Sequence, residues 1–441
     1  MQPDIRHIDT LIHARWVIPV EPEGIAYDNY AVAIHEGRIL DLLPAAQAAS
    51  RYRAAVRLDY PEHAILPGLV NAHTHAAMTL MRGLADDLPL MDWLQNHIWP
   101  AEAAWVSVDF VHDGTELAIA EMLRGGTTCF NDMYFFPEVT AHVAAACGMR
   151  ASVGLIVIDF PSAWASNADE YIAKGLKLHD EYRHHPLIRT AFAPHAPYTV
   201  SDGPLERVRV LADQLDIPVH MHVHETAAEV QQGLDQHGMR PLQRLANLGL
   251  VSPSLLAVHM TQLTDAEIGQ FAAAGGHVLH CPESNMKLAS GFCPVHRLLQ
   301  AGVNVALGTD GAASNNDLDM FVEMRLAALL AKVLAEDAST LPAAKALHMA
   351  TLSGAKALGL EQEIGSLVPG KSADLIAVHL AGIETEPVYN PISQLVYATG
   401  REKVTDVWIA GRHVLKDRRL ATLDEHAVLA KARRWRDKIA G

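Results

Sequence analysis

The chain has 441 residues, which is too long for one ordinary domain but suits a (β/α)8 barrel of about 250 residues with a smaller second unit. Half of the residues are apolar and only 20% are charged, which excludes wholesale disorder. The formal net charge of −16 argues against a nucleic-acid partner, because phosphate binding needs clustered Lys and Arg, and it leaves a small molecule as the expected ligand.

The N-terminal segment 1–23 carries Asp, Glu and Pro where a secretory signal peptide needs an uninterrupted apolar stretch. The most apolar segment, 139–158, contains His142, Gly148 and Arg150, and it falls short of a membrane span. Four scattered cysteines form no CxxC pair, a pattern typical of a reducing compartment. We therefore expect a cytoplasmic protein that does not act at a membrane.

The two ends of the chain contain similar short segments with alternating polarity. HARWVIP and NYAVAIHEGRILDL lie near the N-terminus, and Glu36-Gly37 is predicted to be the turn of a hairpin. SADLIAVHL and VTDVWIAGRHVL lie near the C-terminus. Residues 1–64 and 366–441 are therefore predicted to form one small β-sandwich domain, with a terminal helix at the end of the second segment.

Residues 65–365 alternate short apolar runs with stretches of helical periodicity, which predicts a parallel sheet. The runs are 64–75, 127–135, 150–160, 187–200, 217–226, 255–263, 277–285 and 304–314. A capping box from Thr264 to Glu267 predicts the start of one intervening helix. Eight such units predict an α/β fold of the (β/α)8 type. The alternative is an open doubly wound sheet, but its GxGxxG phosphate loop follows none of the runs.

Polar side chains occupy the ends of these runs, where the strands of a (β/α)8 barrel place their active site. They are His73 and His75 in run one, His195 in run four, His222 and Glu225 in run five, His259 in run six and Asp310 in run eight. Histidines at positions i and i+2 of a strand share a face and can reach one cation. Because 25 histidines give roughly one or two His-x-His pairs by chance, the placement at strand ends carries this prediction.

Imidazole nitrogens and a carboxylate oxygen favour zinc, although iron or manganese would also accept these ligands. Many barrels of this kind that bind two metal ions bridge them with a modified lysine at the end of strand four. Run four contains no lysine, so one ion per subunit is expected. A bound metal would lower the pKa of a water toward about 7. Glu225 could then protonate a ring nitrogen while hydroxide attacks the adjacent carbon, Asp310 could take the water proton, and His259 could support the hydroxide.

Other readings of the same residues stay open. There is no GxSxG motif, and the one cysteine beside a strand-end histidine is Cys281, next to His280. His280 is better explained as a packed side chain or a neighbour of the metal ligands. His220 and His224 alternate with His222 along run five, so spacing alone does not choose among these three.

The segments LPGLVNAHTHAAMTLMRGLADDLPLMDWL, VHETAAE, HCPESNMKLASG and LGTDGAASNNDLDM resemble the amidohydrolase superfamily, in particular its 5′-methylthioadenosine/S-adenosylhomocysteine deaminases. The resemblance implies a barrel flanked by a composite β domain. It implies metal ligation by the four side chains His73, His75, His222 and Asp310. It also implies that Glu225 is the proton shuttle and that His259 supports the hydroxide, which leaves His220 and His224 in the barrel interior or around the ligands.

The resemblance also implies substrate contacts. Glu102 resembles the carboxylate that accepts hydrogen bonds from the ribose hydroxyls, and His195 resembles a ribose-side contact. Trp93 and Met91 are candidates for an apolar wall or lid. Some family members carry arginines after strand three for a ligand carboxylate, but VIDFPSAWASNADE has none, which favours methylthioadenosine or adenosine unless Arg82 substitutes.

The sequence thus predicts a zinc-dependent deaminase that converts an adenosine-type nucleoside, in the first place methylthioadenosine, to its inosine analogue and ammonia. The expected partner is this small molecule, with no nucleic acid, and a homo-oligomer is expected. A related site acting on a guanine-like or pterin base, or on a triazine, is the alternative. An inactive barrel that serves as a scaffold is a more remote one, because such a protein would be expected to lose metal ligands.

Overall fold

The computed structural model describes residues 5–440, which contain two eight-stranded sheets. The strands are β1 (Arg6–Val17), β2 (Tyr27–His35), β3 (Arg38–Pro44), β4 (Tyr52–Pro67), β5 (Leu69–Thr74), β6 (Thr127–Asp132), β7 (Arg150–Val157), β8 (Ile188–Pro194), β9 (Val219–Val223), β10 (Leu255–His259), β11 (His277–His280), β12 (Asn304–Leu307), β13 (Leu375–His379), β14 (Val404–Ile409), β15 (Arg412–Lys416) and β16 (Arg419–Leu420). Among residues 5–440, no helix is both long enough and apolar enough to cross a lipid bilayer.

Helices connect most of these strands. They are α1 (Ala45–Arg51), α2 (Leu90–Trp93), α3 (Trp99–Trp105), α4 (Val108–Arg124), α5 (Pro137–Cys147), α6 (Ala168–Tyr182), α7 (Asp202–Leu215), α8 (Ala227–His237), α9 (Pro241–Asn247), α10 (Asp265–Ala274), α11 (Pro282–Lys287), α12 (Val295–Gln300), α13 (Met320–Leu334), α14 (Ala343–Met349), α15 (Leu352–Ala357), α16 (Pro391–Tyr397) and α17 (Glu425–Ala440). A π-helical turn, Leu94–Ile98, joins α2 to α3. The predicted capping box from Thr264 to Glu267 opens α10.

Strands β5 to β12 form the predicted barrel. Each pairs in parallel with its neighbour in sequence. After β12 the chain returns to β5, where the amides of Thr309 and Asp310 donate to the His73 carbonyl at 3.1 and 3.0 Å. Val70 and Ala72 of β5 lie in a buried cluster with Cys129 of β6 and Leu256 of β10, two strands on opposite sides of the barrel, so this cluster fills the barrel interior. The pairing of β5 with β6 shifts register between Asn71 and Thr74, and the ring of His73 also faces the interior, where it contacts His220 of β9.

Gly68 joins the two sheets. A Cβ at this position would lie 2.0 Å from the Thr128 hydroxyl oxygen, so a larger residue would collide there. Before it, β4 pairs with β13, with Ile65 opposite Ala377. The predicted run 64–75 is therefore two strands, and its first four residues belong to the terminal sheet. The predicted domain boundaries stay predictions, and β4 ends at Pro67, slightly beyond the first of them.

The second sheet is built from both termini, as predicted. Its order is β16-β15-β14-β13-β4-β1-β2-β3, so its eight strands form one continuous sheet. The hairpin of β2 and β3 turns at Glu36 and Gly37, whose φ values of 50° and 74° suit a two-residue turn with left-handed residues. Arg150 of the barrel pairs at 2.8 Å with Asp374, the residue directly before β13, and both side chains are buried. This ion pair fixes the sheet against the barrel.

The predicted terminal helix, α17, packs against barrel helix α4. Trp435 stacks edge-on against Phe110 with ring centroids 5.2 Å apart, and its indole N–H donates to Asp113 at 3.0 Å. Lys431 donates to Glu116 at 2.6 Å. Trp435 also belongs to the buried apolar cluster that contains Trp93, so α17 packs on the same cluster as α2.

Candidate metal centre and active site

Four side chains predicted as metal ligands lie together at the C-terminal end of the barrel. His73 and His75 come from the end of β5, His222 from the end of β9, and Asp310 from the loop after β12. Oδ1 of Asp310 lies 3.2 Å from Nε2 of both His73 and His75, and Nε2 of His73 lies 3.2 Å from Nε2 of His222. One ligand atom from each side chain lies within 4.8 Å of all the others. The four could therefore hold one metal ion.

The remaining ring nitrogens support this reading. Nδ1 of His75 lies 2.5 Å from the Met133 carbonyl, and Nδ1 of His222 lies 2.7 Å from the His195 carbonyl. A carbonyl only accepts, so each Nδ1 donates and each Nε2 keeps its lone pair toward the cluster. Three imidazole nitrogens and one carboxylate oxygen fit a zinc-type site.

Asp310 is held in one orientation. The hydroxyls of Ser284 and Ser314 donate to its Oδ2 at 2.7 and 2.8 Å, which leaves Oδ1 for the imidazoles. Burial alone would raise the pKa of Asp310, but the neighbouring imidazoles of His73 and His75 hold that pKa well below its usual range. Asp310 is therefore a carboxylate that accepts hydrogen bonds from the two serines.

Glu225 and His259 lie beside the cluster. Glu225 follows β9, and its Oε2 lies 3.9 Å from Nε2 of His259 at the end of β10. Nδ1 of His259 lies 2.8 Å from Oδ1 of Asn285, which fixes the ring. Burial raises the pKa of Glu225, so at a given pH this carboxyl is protonated more often than that of an exposed glutamate. The backbone N–H of Glu225 donates to Glu229 at 2.6 Å, which anchors the loop.

His220 and His224 lie outside the cluster of four. His220 reaches Nδ1 of His73 with its Nε2 at 2.8 Å, so it contacts a proposed ligand from behind. His224 has a φ of 54°, which turns it out of the strand, and its Nε2 accepts from the Leu242 amide at 3.1 Å. Neither lines the cavity that lies over the cluster and that Glu225 and His259 help to form. Their positions agree with a supporting role in the barrel.

A cavity with about 860 Å³ of unfilled space, partly open to solvent, covers the cluster. Glu102 of α3 and His195, directly after β8, line it together with Glu225 and His259. Burial raises the pKa of Glu102 to about 7. Trp93 lines the cavity as predicted. Met91 packs in the adjoining apolar cluster instead, so it is not part of the wall.

Several residues considered from the sequence lie elsewhere. Arg82 bonds to Glu121 and to the Asn316 carbonyl, and it does not line the cavity. Within residues 5–440, the side chains that line the cavity include no Arg and no Lys. Cys281 is fully buried, and burial raises the pKa of its thiol well above the usual range, which disfavours a nucleophilic thiolate. His280 lines a separate small cavity with Phe292.

The structure adds residues that the sequence did not single out. Asn285 orients His259, Ser284 and Ser314 hold Asp310, and Glu229 anchors the loop that carries Glu225. Asn285 and Ser284 lie in the motif HCPESNMKLASG, and Glu229 ends VHETAAE. Their position inside these motifs is the sequence feature that could have pointed to them. A single sequence does not show which polar side chains of a motif turn toward the site.

Comparison with known proteins identifies the family of this chain. Residues 64–414 match the model of the Amidohydrolase family. A 5-methylthioadenosine/S-adenosylhomocysteine deaminase from Teredinibacter turnerae is 51% identical over 98% of both chains. A crystal structure of an adenosine deaminase from Xanthomonas campestris with bound zinc is 58% identical and covers 99% of this chain and 100% of its own, with a TM-score of 0.98.

A more distant structure shares the fold alone. It is an atrazine chlorohydrolase from Arthrobacter aurescens complexed with zinc, 23% identical over 97% of this chain and 99% of its own, with a TM-score of 0.89. The extent of the family match and the identity to the curated deaminase decide the classification. The chain belongs to the amidohydrolase family and, within it, to the 5-methylthioadenosine/S-adenosylhomocysteine deaminases.

Proposed function

We propose that this protein is a zinc-dependent hydrolytic deaminase of adenosine-type nucleosides, with methylthioadenosine as its first substrate. The observation that carries the proposal is the cluster of four ligand atoms within 4.8 Å, at the bottom of a cavity that Glu225 and His259 also line. Water replaces the amino group of the adenine ring, and ammonia leaves. The names of the deaminase relatives support this activity.

His73, His75, His222 and Asp310 are the proposed ligands of one zinc ion. The zinc bound in the Xanthomonas campestris deaminase supports the identity of the metal. The described side chains fit the ion because the Nε2 atoms and Oδ1 converge while their other polar atoms are engaged by the protein. When bound, such an ion supplies Lewis acidity that makes water a nucleophile near neutral pH.

The chain's own groups move the protons. Glu225 donates a proton to the ring nitrogen beside the carbon that carries the amino group, and its raised pKa suits that step. Asp310 accepts one proton of the attacking water and passes it to the amino group, which leaves as ammonia, while the second proton of the water restores Glu225. His259, fixed by Asn285, presents Nε2 to the same region and supports the negative charge that develops on the incoming oxygen.

Glu102 and His195 are the proposed ribose contacts. A carboxylate accepts two hydrogen bonds, so Glu102 suits a cis-diol. The walls hold no Arg or Lys within the described chain, and an amino-acid tail would therefore place its carboxylate without a cation. A neutral 5′ substituent, as in methylthioadenosine, or the hydroxyl of adenosine fits better than S-adenosylhomocysteine.

The test is ammonia release from methylthioadenosine, adenosine, S-adenosylhomocysteine, guanine and a triazine by the zinc-loaded enzyme. We expect the highest kcat/KM for methylthioadenosine. Faster ammonia release from guanine or from the triazine would contradict the nucleoside assignment and favour the alternative substrate class. If none is turned over and purified protein holds no metal, the chain would instead be an inactive scaffold.

We further propose a cytoplasmic location and a homo-oligomeric state. The four cysteines are free and buried in the structure, which supports a reducing compartment. The oligomeric state is checked by light scattering of the purified protein, for which a single subunit mass would contradict the proposal.

A further inference from the structure

Two aromatic side chains face each other at the outer part of the cavity. Trp99 starts α3, and Phe160 follows β7 by a few residues. Their ring centroids lie 6.4 Å apart at an interplanar angle of 59°, and both side chains line the cavity. Phe160 is 44% exposed, although the protein buries most of its other phenylalanines. The pair is an apolar surface that opens into the substrate cavity.

The position of this pair relative to Glu102 is informative. Trp99 and Glu102 lie three residues apart on α3, so their side chains are neighbours on one helix face, about 5–6 Å apart at Cβ. Ile158 and Ile156, both buried, extend the apolar wall from Phe160. Under the proposed contacts, with the base at Glu225 and the ribose hydroxyls at Glu102, the lining that remains for the group on the 5′ carbon is mostly apolar and includes Trp99 and Phe160.

We propose that Trp99 and Phe160 form the subsite for the 5′ substituent and select a small apolar thioether there. The inference rests on the proposed deamination of adenosine-type nucleosides. A sulfur atom makes favourable contacts with aromatic rings, and burying a methyl group away from water adds favourable binding free energy. Together these effects amount to about a tenfold preference for a methylthio group over the hydroxyl of adenosine.

The charges around the pair disfavour a zwitterionic tail. Asp159 precedes Phe160, and its carboxylate accepts the Ser201 amide at 2.8 Å. The ammonium of Lys174 pairs with Glu170 at 2.9 Å and also bonds to the Trp164 carbonyl. A tail carboxylate at this subsite would therefore lie near an acid and would find no cation among the described cavity-lining residues.

The experiment compares kcat/KM for methylthioadenosine, adenosine and S-adenosylhomocysteine in the zinc-loaded enzyme and in three variants. Phe160→Ala is expected to lower the value for methylthioadenosine about tenfold and the value for adenosine much less. Phe160→Arg is expected to raise the value for S-adenosylhomocysteine relative to methylthioadenosine at least tenfold. Phe292→Ala is the matched control, because Phe292 is 53% exposed and lies outside this cavity.

Thermal unfolding of each variant shows whether the fold is kept, and Phe160→Leu provides a milder change if alanine destabilises the loop. Equal losses for methylthioadenosine and adenosine in a folded Phe160 variant would overturn the subsite and leave the deaminase intact. A wild-type enzyme that releases no ammonia from any adenosine nucleoside would instead overturn the proposed function. An unchanged preference for methylthioadenosine in both Phe160→Ala and Phe160→Leu would also exclude the subsite.

Discussion

The floor of the cavity and its outer wall are built differently. His73, His75, His222 and Asp310 form the floor. Three of these side chains are buried, that of His75 is 13% exposed, and their remaining polar atoms are bonded to the protein. The wall, formed by 90–105 and Phe160, consists mainly of apolar contacts and contains a π-helical turn. Barrel strands fix the floor rigidly, whereas connecting segments supply the wall. We therefore propose that the floor determines the reaction and that the wall determines which substrate binds.

The largest effect is expected from breaking the floor. His73→Ala removes one of four proposed ligand atoms from a buried site, so both bound zinc and turnover should be lost. The fall in kcat should be about 10³-fold or more, since activation of water depends on the ion. Metal content by emission spectroscopy and ammonia release measure the two losses. His184→Ala, at an exposed position before β8, is the control and should change neither quantity. Full metal content in His73→Ala would exclude it as a ligand.

Glu225→Gln separates proton transfer from metal binding within the floor. Glutamine keeps the shape of the side chain but has no acidic proton to give, so we expect normal zinc content and a kcat reduced about 10²- to 10⁴-fold. Metal analysis and steady-state kinetics on the same preparation are the measurement. A wild-type rate in a metal-bearing variant would contradict the role of Glu225 as proton shuttle.

The floor could largely be predicted from the sequence, because strand ends converge in a barrel and residues at i and i+2 share a face. The choice among His220, His222 and His224 could not be derived in this way. Periodicity alone places His220, His222 and His224 on one face. The structure separates them, since His220 bonds to the back of His73 and His224 leaves the strand with a positive φ. The family resemblance supplied this choice, and the geometry is consistent with it.

The wall could be predicted only in part. Trp93 was named as a wall candidate on the family resemblance, whereas the contact of Trp99 with Phe160 joins segments that are distant in sequence. The family and the composite β domain were predicted and are confirmed. Burial and long-range approach decide which aromatic side chains reach the cavity, and neither is visible in a local pattern.

Glu102 lines the wall as the proposed ribose contact, and its loss should have an intermediate effect. Glu102→Ala should lower kcat/KM for methylthioadenosine about 10- to 100-fold, as expected for lost hydrogen bonds to a charged acceptor, and should spare the free base adenine. Burial raises the pKa of Glu102 to about 7, so the carboxylate becomes protonated as pH falls below that value. KM for methylthioadenosine should therefore rise from pH 8 to pH 6.

Glu102→Gln is the control for that pH dependence, because an amide does not titrate. Its KM should be higher than that of the wild type at pH 8 and nearly constant down to pH 6. Equal losses for nucleoside and free base in Glu102→Ala would remove Glu102 from the ribose site. A pH dependence of KM that survives in Glu102→Gln would assign the titration to another group.

The smallest effect is expected one layer behind the floor, at Asn285. Its Oδ1 accepts from Nδ1 of His259, and this bond directs Nε2 of the ring toward Glu225. Asn285→Ala removes one neutral hydrogen bond, so kcat should fall about 3- to 10-fold. Asn285 does not contact the atoms proposed to bind the metal, and it does not line the cavity. Zinc content and KM should therefore stay near their wild-type values. Asn285→Asp keeps an acceptor oxygen and should recover part of the lost kcat. A change in KM or in metal content instead of kcat would show that Asn285 shapes the cavity or the metal cluster. The distinction between a fixed floor and a selective wall would then not hold at this position.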